Sequence, residues 1–388
     1  MISINDSVSA TVTLTLQDGD DPVINTIPSV TVSESHLTDG STPSVNPVQA
    51  TGTIGYSEGS DNLSHFRLEP NEFNTDDSLT SNGLVVELRE EPADSGQYIG
   101  FTTSATGAET TVFTLDFDAT NKADYTFTLL EAIDHGDASG NNSLDFALPV
   151  YMVDSDGDNS AKVNLDITVT DDVQLMQNGA WSITEPNDGE SPTTATMDVM
   201  PAQSADGATI TEFKFGDNTA QPLDQTITGE QKFDYPEGTL YITLDGEMRF
   251  EPNRDLDHEN GDIVKTITVT SGDFDNDSVS ATVTLILQDG DDPVINTIPS
   301  VTVSESQLTD GSTPSVNPVQ ATGTIGYSEG SDNLSHFRLE PNEFNTDDSL
   351  TSNGLVVELR EEPADSGQYI GFTTSATGAE TTVFTLDF

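Results

Sequence analysis

Residues 7–16 read SVSATVTLTL, and residues 278–287 read SVSATVTLIL. In the first copy Val8, Ala10, Val12, Leu14 and Leu16 alternate with Ser and Thr, giving one apolar face and one polar face. A period of two is what a half-buried strand requires, because successive side chains point to opposite faces of a sheet. The same alternation returns at Val163, Leu165, Ile167 and Val169 in KVNLDITV, at Tyr125, Phe127 and Leu129, and at Leu240, Ile242 and Leu244. Thr and Val dominate these stretches, and both favour pleated sheet. Turn-rich clusters such as TDGSTPS, SEGSDN and SGDFDND separate them, and no stretch shows helical periodicity. The chain is predicted to be all-β.

The opening strand belongs to a long repeat. Residues 6–117 recur as residues 277–388 with two differences, Thr15 against Ile286 and His36 against Gln307. Self-similarity at a long fixed period marks an array of stacked units. Copying a module almost unchanged lengthens a spacer and adds little to a single shaped site, so no enzyme is expected. Inside the repeat lie two related modules, residues 21–171 and 172–291. Each opens on an acidic hinge followed by a strand carrying a glutamate, Glu34 in DDPVINTIPSVTVSES and Glu185 in DDVQLMQNGAWSITEP. An aspartate–histidine element follows (IDH at 133–135, LDH at 256–258), then an acidic loop (DSDGDN at 154–159, GDFDND at 272–277) and an alternating strand. The shared order predicts two versions of one sandwich. Residues 1–20 then match the closing strand of a preceding sandwich. Residues 292–388 match the first module without the counterpart of 118–171, and are expected to be unstable alone. Because the chain starts and stops inside repeat units, it reads as a fragment.

Composition limits the function. Acidic residues number 68 against 11 basic ones, a net charge of −57, which excludes non-specific attraction to nucleic acid or anionic lipid. Hydrophobic residues make up 33%, a low share that would suggest disorder but for the alternating pattern. There are no cysteines, so neither disulfides nor a thiolate metal site can staple the fold. No run approaches the roughly 18 apolar residues of a membrane span, and MISINDSVSATV does not read as a signal peptide.

The aspartates carry the chemistry. Runs stand at the module junctions: Asp18, Asp20 and Asp21; Asp171 and Asp172; Asp289, Asp291 and Asp292. Others alternate within loops, as Asp154, Asp156 and Asp158, and as Asp273, Asp275 and Asp277. Alternate carboxylates in a turn converge on one point, which suits a hard cation with six to eight oxygen ligands at about 2.3–2.6 Å, the preference of Ca²⁺. Asp and Gly are also ordinary turn formers, but their recurrence at matching points of both modules favours the ion. No spacing fits the EF-hand loop, so a site must be assembled across loops.

These features, strand–DSDGDN–strand–DD and LDHENGD–strand–GDFDND–strand–DGDDP, resemble the tandem immunoglobulin-like, cadherin-like repeats of very large bacterial RTX-type biofilm adhesins exported by type I secretion. The resemblance covers essentially the whole chain. It implies tandem β-sandwich domains in a linear array at the bacterial cell surface, with calcium at junctions and adjoining loops. The ligands it implies are Asp18, Asp20, Asp21, Asp154, Asp156, Asp158, Asp171, Asp172, Asp255, Asp257, Asp273, Asp275, Asp277, Asp289, Asp291 and Asp292. Glu34, Glu185 and Glu305 resemble the acidic residue that cadherin-like modules offer from their first strand. Asp134 departs from the pattern, since IDHGDASG lacks the glutamate that follows in LDHE.

The five histidines (His36, His65, His135, His258, His336) show no zinc-ligand spacing. Ser64–His65 has no nucleophile elbow. Trp181 reads as a core or strand-edge aromatic, with a sugar platform as the alternative. The leading expectation is a calcium-rigidified extender whose partners are neighbouring repeats, holding a distal ligand-binding domain away from the cell. The alternative is a module that itself binds glycan or weakly self-associates, near-identical copies supplying avidity. A salt-adapted chain is a third reading, against which the clustering of the aspartates counts.

Overall fold

A computed structural model describes residues 7–17, 19–136 and 140–388. Two compact units divide them, one drawn from Met1–Ile183, Thr194–Pro252 and Asp262–Leu287, the other from Thr184–Thr193, Asn253–Gly261 and Gln288–Phe388. The all-β expectation holds: apart from single-turn 3-10 segments, the described residues form strands and turns.

The first unit contains two sandwiches in succession. In the first, a five-stranded sheet runs Val48–Thr53, Asp124–Leu129, Glu109–Phe117, Gln97–Thr103, Glu87–Glu90. It faces a four-stranded sheet of Val30–Ser33, Val163–Thr170, Ser143–Asp154 and Leu63–Leu68. Alternation decides which side chains enter the core. In Val163–Thr170, Leu165, Ile167 and Val169 are buried while Asn164 and Asp166 are exposed. They meet Phe66, Phe113, Leu115, Phe127, Leu148 and Val150. Each such side chain contributes about 1.5–3 kcal/mol on burial.

One pairing positions the site. Val30–Ser33 lies parallel to Val163–Thr170, in register from Val30 with Ile167 to Ser33 with Thr170. Parallel neighbours finish at the same end of a sheet. The next residues, Glu34 and Asp171, therefore emerge side by side, although the chain between them spans the whole sandwich.

The second sandwich pairs a sheet of Gly179–Thr184, Ser278–Gln288, Ile263–Gly272, Thr209–Phe215 and Gln221–Pro222 with one of Ala195–Asp198, Glu247–Pro252, Gly238–Ile242 and Gln231–Tyr235. The strand predicted through Leu244 ends at Ile242, ahead of a turn at Leu244 and Asp245. Trp181 is buried in this core, which removes it as an exposed platform for sugar.

The repeats give an internal control, since near-identical sequence meets different neighbours. The strand Ser278–Gln288 pairs along its length with Ile263–Gly272, and Leu287 is fully buried. Its copy at residues 7–17 forms no described strand, and Leu16 is 84% exposed. Likewise Val30 is 5% exposed whereas Val301, its copy, is 54% exposed. Val30 pairs with Ile167, and no second copy of residues 118–171 stands in this chain to pair with Val301. What survives in the second unit is what local pairing supports: the hairpin of Val294–Thr297 with Gly326–Ser328, the short pair of Thr351–Ser352 with Leu355–Val356, and the sheet of Glu358–Glu361, Gln368–Thr374 and Glu380–Asp387.

Candidate metal centre

At the end of the first sandwich Glu34 is fully buried, and its Oε1 accepts the backbone N–H of Ile133 at 2.7 Å. That bond draws the 133–135 element onto the sheet end and brings His135 Nε2 to 3.5 Å from Glu34 Oε2. Glu34, His135 and Asp171 each offer an atom within 4.8 Å of the others'. Asp171 belongs equally to a second trio with Asp275 and Asp277, delivered from the acidic loop of the second sandwich. Both sandwiches thus contribute carboxylates to one buried cluster.

The neighbouring Asp172 has a different task. Its carboxylate accepts the N–H of Ser41 at 2.7 Å and of Ala205 at 3.0 Å, and also the Ser41 hydroxyl. It ties a loop of each sandwich together. Asp206, in the loop that includes Ala205, is buried alongside.

Several buried atoms here lack a hydrogen-bond partner among the described residues: Glu34 Oε2, His135 Nε2, Asp171 Oδ2, Asp206 Oδ2, both oxygens of Asp275, and Asp277 Oδ2. An unpaired buried polar group costs about 1–3 kcal/mol, and more when charged. Proton affinities respond accordingly. Burial, then the charges of Glu34, Asp275, Asp171 and Asp273, push Asp206 up to about 9. Burial pushes Asp171 up to about 7, against the pull of His135 and with Asp275 and Glu34 adding to the rise. Burial and the adjacent Asp275 push Asp273 up to about 7. Burial also raises Glu34 despite His135 beside it. Convergent, dry, electron-rich oxygens make a donor set that a divalent cation satisfies.

The same construction recurs in the second unit. Glu185 Oε2 accepts the N–H of Leu256 at 3.0 Å, and Glu185 groups with His258 and Asp289. Around this trio Asp255 accepts both N–H groups offered by Asn333, and Asp291 exchanges hydrogen bonds with Asn187. Desolvation, Asp289 and Asp255 together raise the proton affinity of Asp332.

A third group, Asp61, Asp154 and Asp156, lies at the DSDGDN loop. Gly157 adopts φ 105°, a left-handed value that glycine reaches without strain. The turn it permits lets Asp154 Oδ1 accept the N–H groups of both Gly157 and Asp158. The adjacent Asp154 carboxylate is the main cause pushing Asp156 up to about 6.

Other sequence-predicted ligands are placed elsewhere. Asp134 accepts the N–H of Gly83, and Asp257 that of Glu259. Asp20, Asp21 and Asp292 are exposed, the Asp20 carbonyl accepting the N–H of Ser60. Glu305 is exposed where its copy Glu34 is buried, because residues 301–304 form no strand and have no parallel neighbour among the described residues. Asp18 lies outside the described residues. Conversely, the sequence pattern does not single out Asp61, Asp206 or Asp332 as ligands, and it marks His135 and His258 only as parts of the aspartate–histidine elements, without zinc-ligand spacing. Asp61 and Asp332 stand in the SEGSDN turns, a signal that could have found them; Asp206 is a lone aspartate with none.

No protein-family model matches the chain, and no curated protein matches it. Among solved structures it is similar to cadherin repeats. Against Drosophila N-cadherin EC1–3 the identity is 13% and the TM-score 0.22, over 70% of this chain and 68% of that one. Against protocadherin gamma B7 cadherin domains 1–4 the values are 14% and 0.24, over 96% and 76%. The D00–D0 domain of intimin gives 10% and 0.19, over 67% and 99%. The clusters themselves, and not these likenesses, carry the functional reading.

Proposed function

We propose that this chain is a calcium-rigidified extender segment of a large bacterial surface adhesin, acting outside the cell and without enzymatic activity. One observation carries the reading. Asp171, at the last residue of one sandwich, shares a buried cluster with Asp275 and Asp277 from the next, and their free oxygens have no hydrogen-bond partner among the described residues. Asp171, Asp206, Asp275 and Asp277 would hold the ions at the first junction, and Asp255 and Asp332 would serve the second. Bound Ca²⁺ supplies positive charge and oxygen-only coordination there. Asp172 needs no ion for its part, since its oxygens already bracket Ser41 and Ala205.

Without the ion, carboxylates about 4 Å apart repel by roughly 1 kcal/mol in water and about 4 kcal/mol near a protein surface. That repulsion acts across the boundary between sandwiches and pushes them apart. With the ion it becomes shared ligation, which fixes one sandwich on the other. A row of such junctions is a spacer whose stiffness depends on external calcium. Small-angle scattering of the full chain in calcium and in chelator tests the proposal. It expects a stiffer, longer particle in calcium, and identical profiles would refute it.

A further inference from the structure

Two histidines sit where calcium has no use for them. His135 is buried, its Nδ1 is engaged with Asn142 Oδ1 at 2.7 Å, and its Nε2 faces Glu34 and Asp171 with no hydrogen-bond partner among the described residues. Holding one ring nitrogen in a hydrogen bond fixes which nitrogen is presented to the carboxylates. The second unit repeats the trio, with both ring nitrogens of His258 unpartnered among the described residues. Glu185 Oε1 and His258 Nε2 are both buried and unpartnered, and Asp289 completes the trio. In each case the glutamate's other oxygen is occupied by a backbone N–H, from Ile133 or from Leu256, so a single oxygen faces the imidazole.

We propose that each Glu–His–Asp trio, Glu34–His135–Asp171 and Glu185–His258–Asp289, is a Zn²⁺ site separate in kind from the oxygen-only clusters. Calcium takes oxygen ligands, whereas an imidazole beside carboxylates suits zinc. Spacing agrees. Zinc bonds of about 2.0–2.1 Å in a tetrahedron place neighbouring ligand atoms about 3.4 Å apart, and Glu34 Oε2 stands 3.5 Å from His135 Nε2. The corresponding separation at Glu185 and His258 is 3.9 Å. A direct bond from a protonated imidazole to a carboxylate would close to about 2.7–2.9 Å. Both pairs stand further apart than that, with a third donor converging on the gap. Asp171 would be shared between the zinc and the oxygen-only trio of Asp275 and Asp277.

The test is calorimetric titration of the full chain with Zn²⁺ after metal stripping and in saturating Ca²⁺. The expected result is two zinc equivalents, with His135→Gln and His258→Gln each removing one. If a variant does not fold, Co²⁺ added to the unaltered calcium-saturated chain reads the same site. A strong visible ligand-field band, abolished by Zn²⁺, supports the proposal, and a spectrum equal to aqueous Co²⁺ overturns it. No zinc heat in calcium, or full zinc uptake by the double histidine variant, also overturns it. Zinc uptake by a chain whose melting ignores calcium would sink the calcium reading and leave this one standing.

Discussion

Replacing Asp275 with asparagine should change stability in opposite directions with and without calcium. Both Asp275 oxygens are buried and unpartnered among the described residues, and the side chain lies within 4.8 Å of Asp171 and Asp277. At that separation each ionised pair repels by about 1 kcal/mol with water-like screening and about 3 kcal/mol with the weaker screening typical of protein surfaces. Asp171, pushed up to about 7, is partly protonated near neutrality, which trims the repulsion. A net relief of about 1 kcal/mol is therefore expected in chelator. In saturating calcium the same change removes a ligand. An affinity loss of ~100-fold costs about 2.7 kcal/mol when the wild-type site is full. With roughly 2–4 °C per kcal/mol for a domain of this size, D275N should melt about 2–4 °C higher than wild type in chelator. In calcium it should melt about 5–11 °C lower. Thermal melts by circular dichroism read both values. A shift of the same sign in both buffers would refute the placement of an ion at Asp275.

Three further outcomes follow from the same geometry. Asp172→Ala should destabilise by about 2–4 kcal/mol in calcium and chelator alike, because it strands the N–H groups of Ser41 and Ala205; a loss seen only in calcium would make Asp172 a ligand instead. In the ion-free chain, Asp171 and Asp273 (both raised to about 7) and Asp206 (raised to about 9) bind protons more tightly folded than unfolded. Their stabilising contribution is complete below the ordinary aspartate range near pH 4 and is lost as pH rises through about 7 and then about 9. Denaturant melts in chelator should weaken over that window, and a stability that rises from pH 5 to 8 would contradict it. Finally, extending the chain beyond Phe388 with a copy of residues 118–171 should bring hydrogen-exchange protection to Val301 and Val303, whose copies Val30 and Val32 are buried beside Val163–Thr170; continued fast exchange would show that the parallel pairing is not what orders that strand.

The fold was legible where one strand's own alternation decides it. KVNLDITV announces its buried Leu165, Ile167 and Val169 without reference to any partner. The candidate site was legible only in part, and the reason is topological. Aspartates in DSDGDN and GDFDND signal themselves by local spacing, so Asp154, Asp156, Asp275 and Asp277 were visible. His135 meets Glu34 through a backbone bond across 99 residues, and no local spacing encodes that. Asp206 enters through a loop of the next sandwich. The repeats supply the complementary lesson. Glu34 and Glu305 have flanking sequences that differ nearby only at His36 and Gln307, yet one is buried in a cluster and the other exposed, because burial depends on a parallel neighbour supplied far along the chain.

Calcium titration of the metal-stripped full chain by calorimetry, followed by thermal melts with calcium and with chelator, tests the central claim most directly. The account predicts saturable binding at several sites, with affinity falling on D275N, and a large rise in melting temperature on saturation. Absent or only millimolar binding with an unchanged melt would contradict it, and the acidic clusters would then have to be stabilised by something other than calcium.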